Sequence, residues 1–253
     1  MTHILTIRNT PNLAGIEISG DYQDLDTLYL ALLMIIGDEG DFPPYAGARI
    51  RILGMMYDIR HAFQGDREFE FVQNGMDNHR MKLLGLITPD KNLYYKANVY
   101  YPEALFVTMA INDFIRLYAK LQAKSSTYPL MDKKNLWDRN IATARLFQSL
   151  IVNCLEKAVT EASLKRIVNL LYKDYTWTDR YTTQYLDMVN IRYLSIEDKE
   201  ERAKALTKTV KRMVEKGKEY QDIEQNVLEM AIANNCSTEE IGLRWEYPEE
   251  IEW

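Results

Sequence analysis

The hydrophobic pattern changes character once along this chain, near Pro102. Before that point, short alternating runs interleave with helical stretches; after it, the patterned segments repeat at helical spacing. The run Ile4-Leu5-Thr6-Ile7, the turn chemistry of Asn9-Thr10-Pro11-Asn12 and the alternating Gly15-Ile16-Glu17-Ile18 predict a hairpin over residues 4–19. Ser19-Gly20-Asp21 breaks the second strand. Asp24 is then placed to cap a helix through Leu25, Leu28, Tyr29, Leu32 and Ile36, which Gly37 ends.

A polar loop, Asp38 to Pro44, leads into a second helix from about Gly47 to Phe63, with Ile52, Met56, Ile59 and Phe63 on one stripe. Its opening, Ala48 to Leu53, also fits a strand, because Ile50 and Ile52 alternate with Arg49 and Arg51. Arg67 to Val72, Met81 to Thr88 and Asn92 to Tyr101 read as three strands of an antiparallel meander, the last two joined by a Pro89-Asp90 turn. With the hairpin, this predicts one antiparallel sheet of about five strands.

Pro102 suits the first position of a helix, where the missing N–H would be unpaired anyway. The run Ala104 to Ile111 is apolar on every side, which predicts a helix in the middle of the fold. It continues past Leu121 to a break at Ser125-Ser126-Thr127-Tyr128-Pro129. Helices follow at Leu136–Val159, Glu161–Tyr172, Thr178–Tyr193, from the Ser195-Ile196-Glu197-Asp198 cap to Gly217, and at Tyr220–Asn234; Ser237 caps a last short turn. The expected class is α+β. Residues 1–124 form a sheet-and-helix domain and residues 125–253 a helical domain packed on it, the two sharing one core.

Composition narrows the function classes. The 253 residues are 47% apolar, enough for a real core. A net charge of -6 gives no overall attraction to nucleic acid or anionic lipid. The helix after Ser195 carries Lys199, Lys204, Lys208, Lys211, Arg212 and Lys216, but Glu197, Asp198, Glu200, Glu201 and Glu215 interrupt it. A solvated mixed-charge face is expected there, with no tight nucleic-acid binding. The longest greasy run, Leu28 to Ile36, falls well short of the ~20 residues of a membrane helix. The first residues lack a basic segment followed by an apolar one. Cys154 and Cys236 form no CxxC and read as two reduced thiols. A cytoplasmic protein is expected.

Several stretches taken together resemble a family of uncharacterised bacterial proteins, a domain of unknown function. They are Thr10-Pro11-Asn12-Leu13-Ala14-Gly15, Ser19-Gly20-Asp21-Tyr22, the stretch from Tyr57 to Glu68, Asn74-Gly75-Met76, and Tyr101-Pro102-Glu103-Ala104-Leu105-Phe106. The resemblance covers roughly the first 120 residues. It implies a bacterial or phage-borne source and brings no established activity.

The densest polar cluster lies around Asp58, His61, Asp66, Arg67 and Glu68. On a helix, Asp58 and His61 share a face one turn apart. A carboxylate beside an imidazole suits a general base, and Asp66 or Glu68 would extend the set toward a metal. The simpler reading is a structural network, with Asp58 on Arg60 or Arg67 and His61 on backbone. His79 falls in a loop or single turn, and His3 near the terminus is expected to be exposed. Pro89-Asp90 lacks the Asp/Glu-x-Lys that a restriction-type nuclease would need. No P-loop, GxGxxG or GxSxG is present, and no cofactor is expected.

The aromatics suggest binding instead. Tyr94 and Tyr100 sit on the last strand, and Trp245, Tyr247 and Trp253 punctuate an acidic tail. The first expectation is therefore a non-enzymatic interaction component of a bacterial or phage multiprotein assembly, or a homo-oligomer, with a protein partner or itself. The alternative is an acid–base or metal-dependent hydrolase centred on Asp58 and His61, acting on nucleic acid or a nucleotide.

Overall fold

The computed structural model describes residues 5–124, 127–172 and 177–253. The expectation for His3, the start of the first strand at Ile4 and the Ser125-Ser126 part of the break lie outside them. Strands β1 (Thr6–Asn9) and β2 (Gly15–Gly20) form the expected hairpin. Thr10 shapes its turn: the hydroxyl accepts from the Gly15 N–H and donates to the Gly15 carbonyl, both at 3.0 Å. Gly15 is obligatory, because a Cβ there would sit 1.9 Å from the Val99 carbonyl oxygen on the neighbouring strand.

Helix α1 (Tyr22–Ile36) begins one turn earlier than Asp24 suggested. Asp21 is the cap, and Asp24 returns a carboxylate to the Asp21 N–H to complete a capping box. Helix α2 spans Ala46–Phe63, so the stretch that also fitted a strand is helical. Strand β3 (Phe69–Gln73) follows, then helix α3 (Asn78–Leu84) and strand β4 (Lys91–Tyr100).

Helix α3 corrects the reading of Met81–Thr88 as a strand. Met81-Lys82-Leu83-Leu84 is made of good helix formers without a β-branched residue. Asp77 caps its start by accepting from the Arg80 N–H, and Gly85 at φ 63° ends it. The sheet therefore has four antiparallel strands rather than about five, in the order β1-β2-β4-β3. The meander is replaced by direct pairing of β3 with β4, with α3 standing off their connection.

Helix α4 (Tyr101–Gln122) follows β4 without a loop and buries residues on every side, including Phe106, Ile111 and Phe114. It touches β2 and β4 on one side and helices from both halves on the others. The C-terminal helices are the short α5 (Lys133–Leu136), then α6 (Arg139–Ala158), α7 (Glu161–Tyr172), α8 (Gln184–Leu194), α9 (Lys199–Glu215) and α10 (Lys218–Asn234). Two of these starts differ from expectation. Asp138, with its carboxylate on the Asn140 and Ile141 N–H groups, separates α5 from α6. Residues 177–183 form turns rather than helix, tied down by Thr178 on Asp113 and by the Tyr220 hydroxyl on the Thr182 N–H. Among the described residues, no strand lies beyond Tyr100.

One continuous apolar cluster contains Ile16, Val99 and Phe106 from the first half and Phe147, Leu186 and Leu206 from the second. Residues 241–253 run back in extended form to the start of the chain. The Asn12 N–H donates to the Trp253 carbonyl at 3.0 Å, and buried Arg202 of α9 binds the carbonyls of Asn12, Leu194 and Glu252.

Candidate functional site

Strand β3 pairs with β4 only up to Tyr95, followed by one bond from the Lys96 N–H to the Glu68 carbonyl at 2.9 Å. From there to Tyr100 the side of β4 away from β2 has no strand neighbour. Helix α2, helix α8 and the segment around Tyr247 and Trp253 enclose that gap as a cleft of about 740 Å³. The volume lies in the range that holds small-molecule ligands.

A charged network crosses the floor. Arg51 of α2 lies 2.6 Å from Asp187 of α8 and 3.6 Å from Glu103 in the first turn of α4; it also donates to the Thr183 carbonyl. The Asn190 amide donates to Glu103 at 2.9 Å, and the Tyr247 hydroxyl donates to Asp187 at 2.9 Å. Burial pushes the Glu103 carboxyl above its ordinary range, against the opposing pull of Arg51 and Asn190. Burial likewise raises the Tyr247 phenol, with Asp187 adding to the effect, so it remains a donor.

The sequence-predicted cluster splits into two pairs, each bridging the Gly65 turn. Asp58 takes Arg67 at 2.8 Å, and His61 Nδ1 meets Asp66 at 2.9 Å; no hydrogen bond joins Asp58 to His61. Tyr57 packs on the His61 ring at 4.1 Å between centroids. Asp58, Arg67 and Glu68 line the cleft, whereas His61 and Asp66 do not. His79 is on α3 and exposed. Among the described residues, no group of three or more His, Cys, Asp or Glu is placed to hold a metal.

The aromatic candidates separate too. Tyr100 lines the cleft and contacts the rings of Tyr247 and Trp253, at 5.8 and 5.3 Å between centroids. Tyr94 is 4% exposed and Trp245 lies outside the cleft. Sequence reasoning missed Arg51, Glu103, Asp187 and Asn190. They come from three separate helices, and their meeting depends on how α2, α4 and α8 cross.

A second surface was also missed. In the excursion from β3 through α3 to β4, Phe69 and Phe71 are 55% and 65% exposed, Leu83 is 76% exposed, and Leu84, Leu86 and Ile87 are exposed as well. No α3 residue is buried. The signal in the sequence was the run Leu83-Leu84-Gly85-Leu86-Ile87 beside two phenylalanines that alternate with glutamates.

The architecture defines an α+β protein with a four-stranded antiparallel sheet, a buried central helix and a helical second half. The chain belongs to the family described as Domain of unknown function (DUF6904), whose profile matches residues 5–253. The family thus extends over both halves, well beyond the stretch that carried the resemblance. Comparison with the curated proteins and with the solved structures finds no match. Among the described residues, no helix is long and apolar enough to cross a membrane.

Proposed function

We propose that this protein is a non-enzymatic interaction component that works as a homo-oligomer, two copies joining through the β3–α3–β4 excursion. The observation that carries the reading is the exposed apolar surface of that excursion, from Phe69 and Phe71 to Leu83 and Ile87. Six large apolar side chains are exposed on this one excursion, a concentration that marks an interaction surface.

A second copy is the occupant that best fits the charge pattern. The base of the excursion exposes Asp66 and Glu68 with Arg67 between them, a net negative end; its tip exposes Arg80, Lys82 and Lys91 against Asp77 and Asp90, a net positive end. None of those three cations has an ion-pair partner among the described residues. Strand β3 is an edge strand, and two copies laid antiparallel about a two-fold set each acidic base beside the other's basic tip. The hydrolase alternative gains less support, because Asp58 and His61 are each held by a separate partner. The bacterial source follows the family resemblance, the cytoplasmic location follows the two unpaired cysteines, and the acidic net charge argues against tight nucleic-acid binding.

Cross-linking tests the arrangement. Phe71→Cys in a Cys236→Ser background should give a disulfide-linked dimer on mild oxidation, since Phe71 is the middle residue of β3. The control Leu121→Cys, equally exposed at the end of α4, should remain uncross-linked. Absence of a dimer from the Phe71 variant, or equal cross-linking of both, overturns the reading.

A further inference from the structure

We propose that the cleft beside β4 is a binding site for a small organic cation carrying a primary amine or guanidino group. The argument starts from which lining groups are already engaged. Five carboxylates and three cations line the cleft. Each cation has carboxylate partners within the protein. Arg51 is held by Asp187 and Glu103, Arg67 by Asp58, and Lys96 by Glu17 and Glu70, neither of which lines the cleft. An anionic ligand therefore finds no cation without a partner.

What remains is a set of acceptors. Asn190 is 1% exposed, its amide nitrogen is committed to Glu103, and its carbonyl oxygen is buried with no hydrogen-bond partner among the described residues. The side-chain oxygen of Asn98, on the open edge of β4, is in the same condition. A buried acceptor left unpaired is costly, and a donating ligand recovers that cost. Glu68 and Glu239 line the mouth and form no ion pair among the described residues.

Two carbonyl oxygens inside and two carboxylates at the rim call for a ligand that donates hydrogen bonds and bears positive charge. The rings of Tyr100, Tyr247 and Trp253 supply apolar wall for its methylene chain and negative ring faces for its charge. Alternation along β4 adds backbone to the same side. Because the Lys96 N–H points to the β3 side, the Asn98 carbonyl does so as well, two residues on, where β3 has ended. The inference shares Glu68 with the proposed dimer contact but otherwise stands apart from it, since Asn98, Asn190, Glu239 and the aromatic wall lie outside the excursion.

Agmatine and putrescine are suitable probes, titrated calorimetrically into the full-length chain, with glutarate and inorganic phosphate as anionic comparisons. Saturable binding of at least one amine and none of either anion is expected. Asn98→Leu should weaken it at least tenfold. Glu68→Gln, an exposed substitution that leaves the fold intact, should weaken it several-fold. Lack of binding by both amines overturns the proposal. So does preference for an anion, or amine binding that neither variant changes.

Discussion

Arg51 of α2 and Asp187 of α8 meet at 2.6 Å, and this pair ties the sheet-bearing half of the chain to the helical half across the cleft. The same guanidinium neutralises Glu103, which the fold buries at the start of the central helix. Replacing Arg51 by Met would leave two carboxylates facing each other in a poorly hydrated place. A loss of about 2–3 kcal/mol in urea unfolding is expected, below the range for one partner of a fully buried pair because these side chains stay partly exposed. Adding Glu103→Gln to that variant should recover part of the loss, because the uncompensated buried charge is then gone.

Asp113 of α4 is fully buried, with one oxygen on the Thr178 hydroxyl and the other without a partner among the described residues. Burial raises its carboxyl from 3.8 to about 6, in spite of Thr178 and Arg116. Between those values the folded protein keeps a proton that the unfolded chain releases. This residue's contribution to stability therefore falls as pH rises through that window and levels off above about 6. Asp113→Asn keeps an acceptor for Thr178 and cannot ionise. Its stability relative to the parent should rise between pH 4 and 6.5, by on the order of 2–3 kcal/mol in total. Paired thermal melts of the two proteins across that range measure the difference.

Phe106 is buried on all sides of α4, where it packs on Trp177 and Tyr181 from the second half. Phe106→Ala should cost about 3–5 kcal/mol, as deletion of a buried aromatic side chain does. The variant should still unfold in one cooperative transition, at a lower temperature, rather than by melting of one half alone. Calorimetry of the variant reads both quantities.

The fold was legible where local chemistry and hydrophobic period agreed. The Thr10-to-Gly15 turn, the all-apolar run of α4 and the capping stretch that ends at Asp198 each say the same thing at two levels. It was illegible at α3, where a short apolar run fits strand and helix alike and only the Asp77 and Gly85 ends decide. The site was less legible still. Asp58, Arg67 and Glu68 are close in sequence and easily noticed as a group, and they do line the cleft. Arg51, Glu103, Asp187 and Asn190 converge from three helices far apart in the chain, and no local pattern records how those helices cross. The aromatic tail was visible as a feature, but its seat against Tyr100 depends on Arg202 and Asn12 holding the residues around it.

The mass of the full-length chain in solution, followed by sedimentation from submicromolar to tens of micromolar concentration, tests the self-association claim most directly. The parent should sediment as a dimer at the upper end. A Phe69→Glu, Phe71→Glu double variant should remain monomeric with an unchanged melting temperature, because both side chains are exposed in the single chain. A parent that stays monomeric throughout, or a double variant that dimerises as the parent does, would contradict assembly through β3.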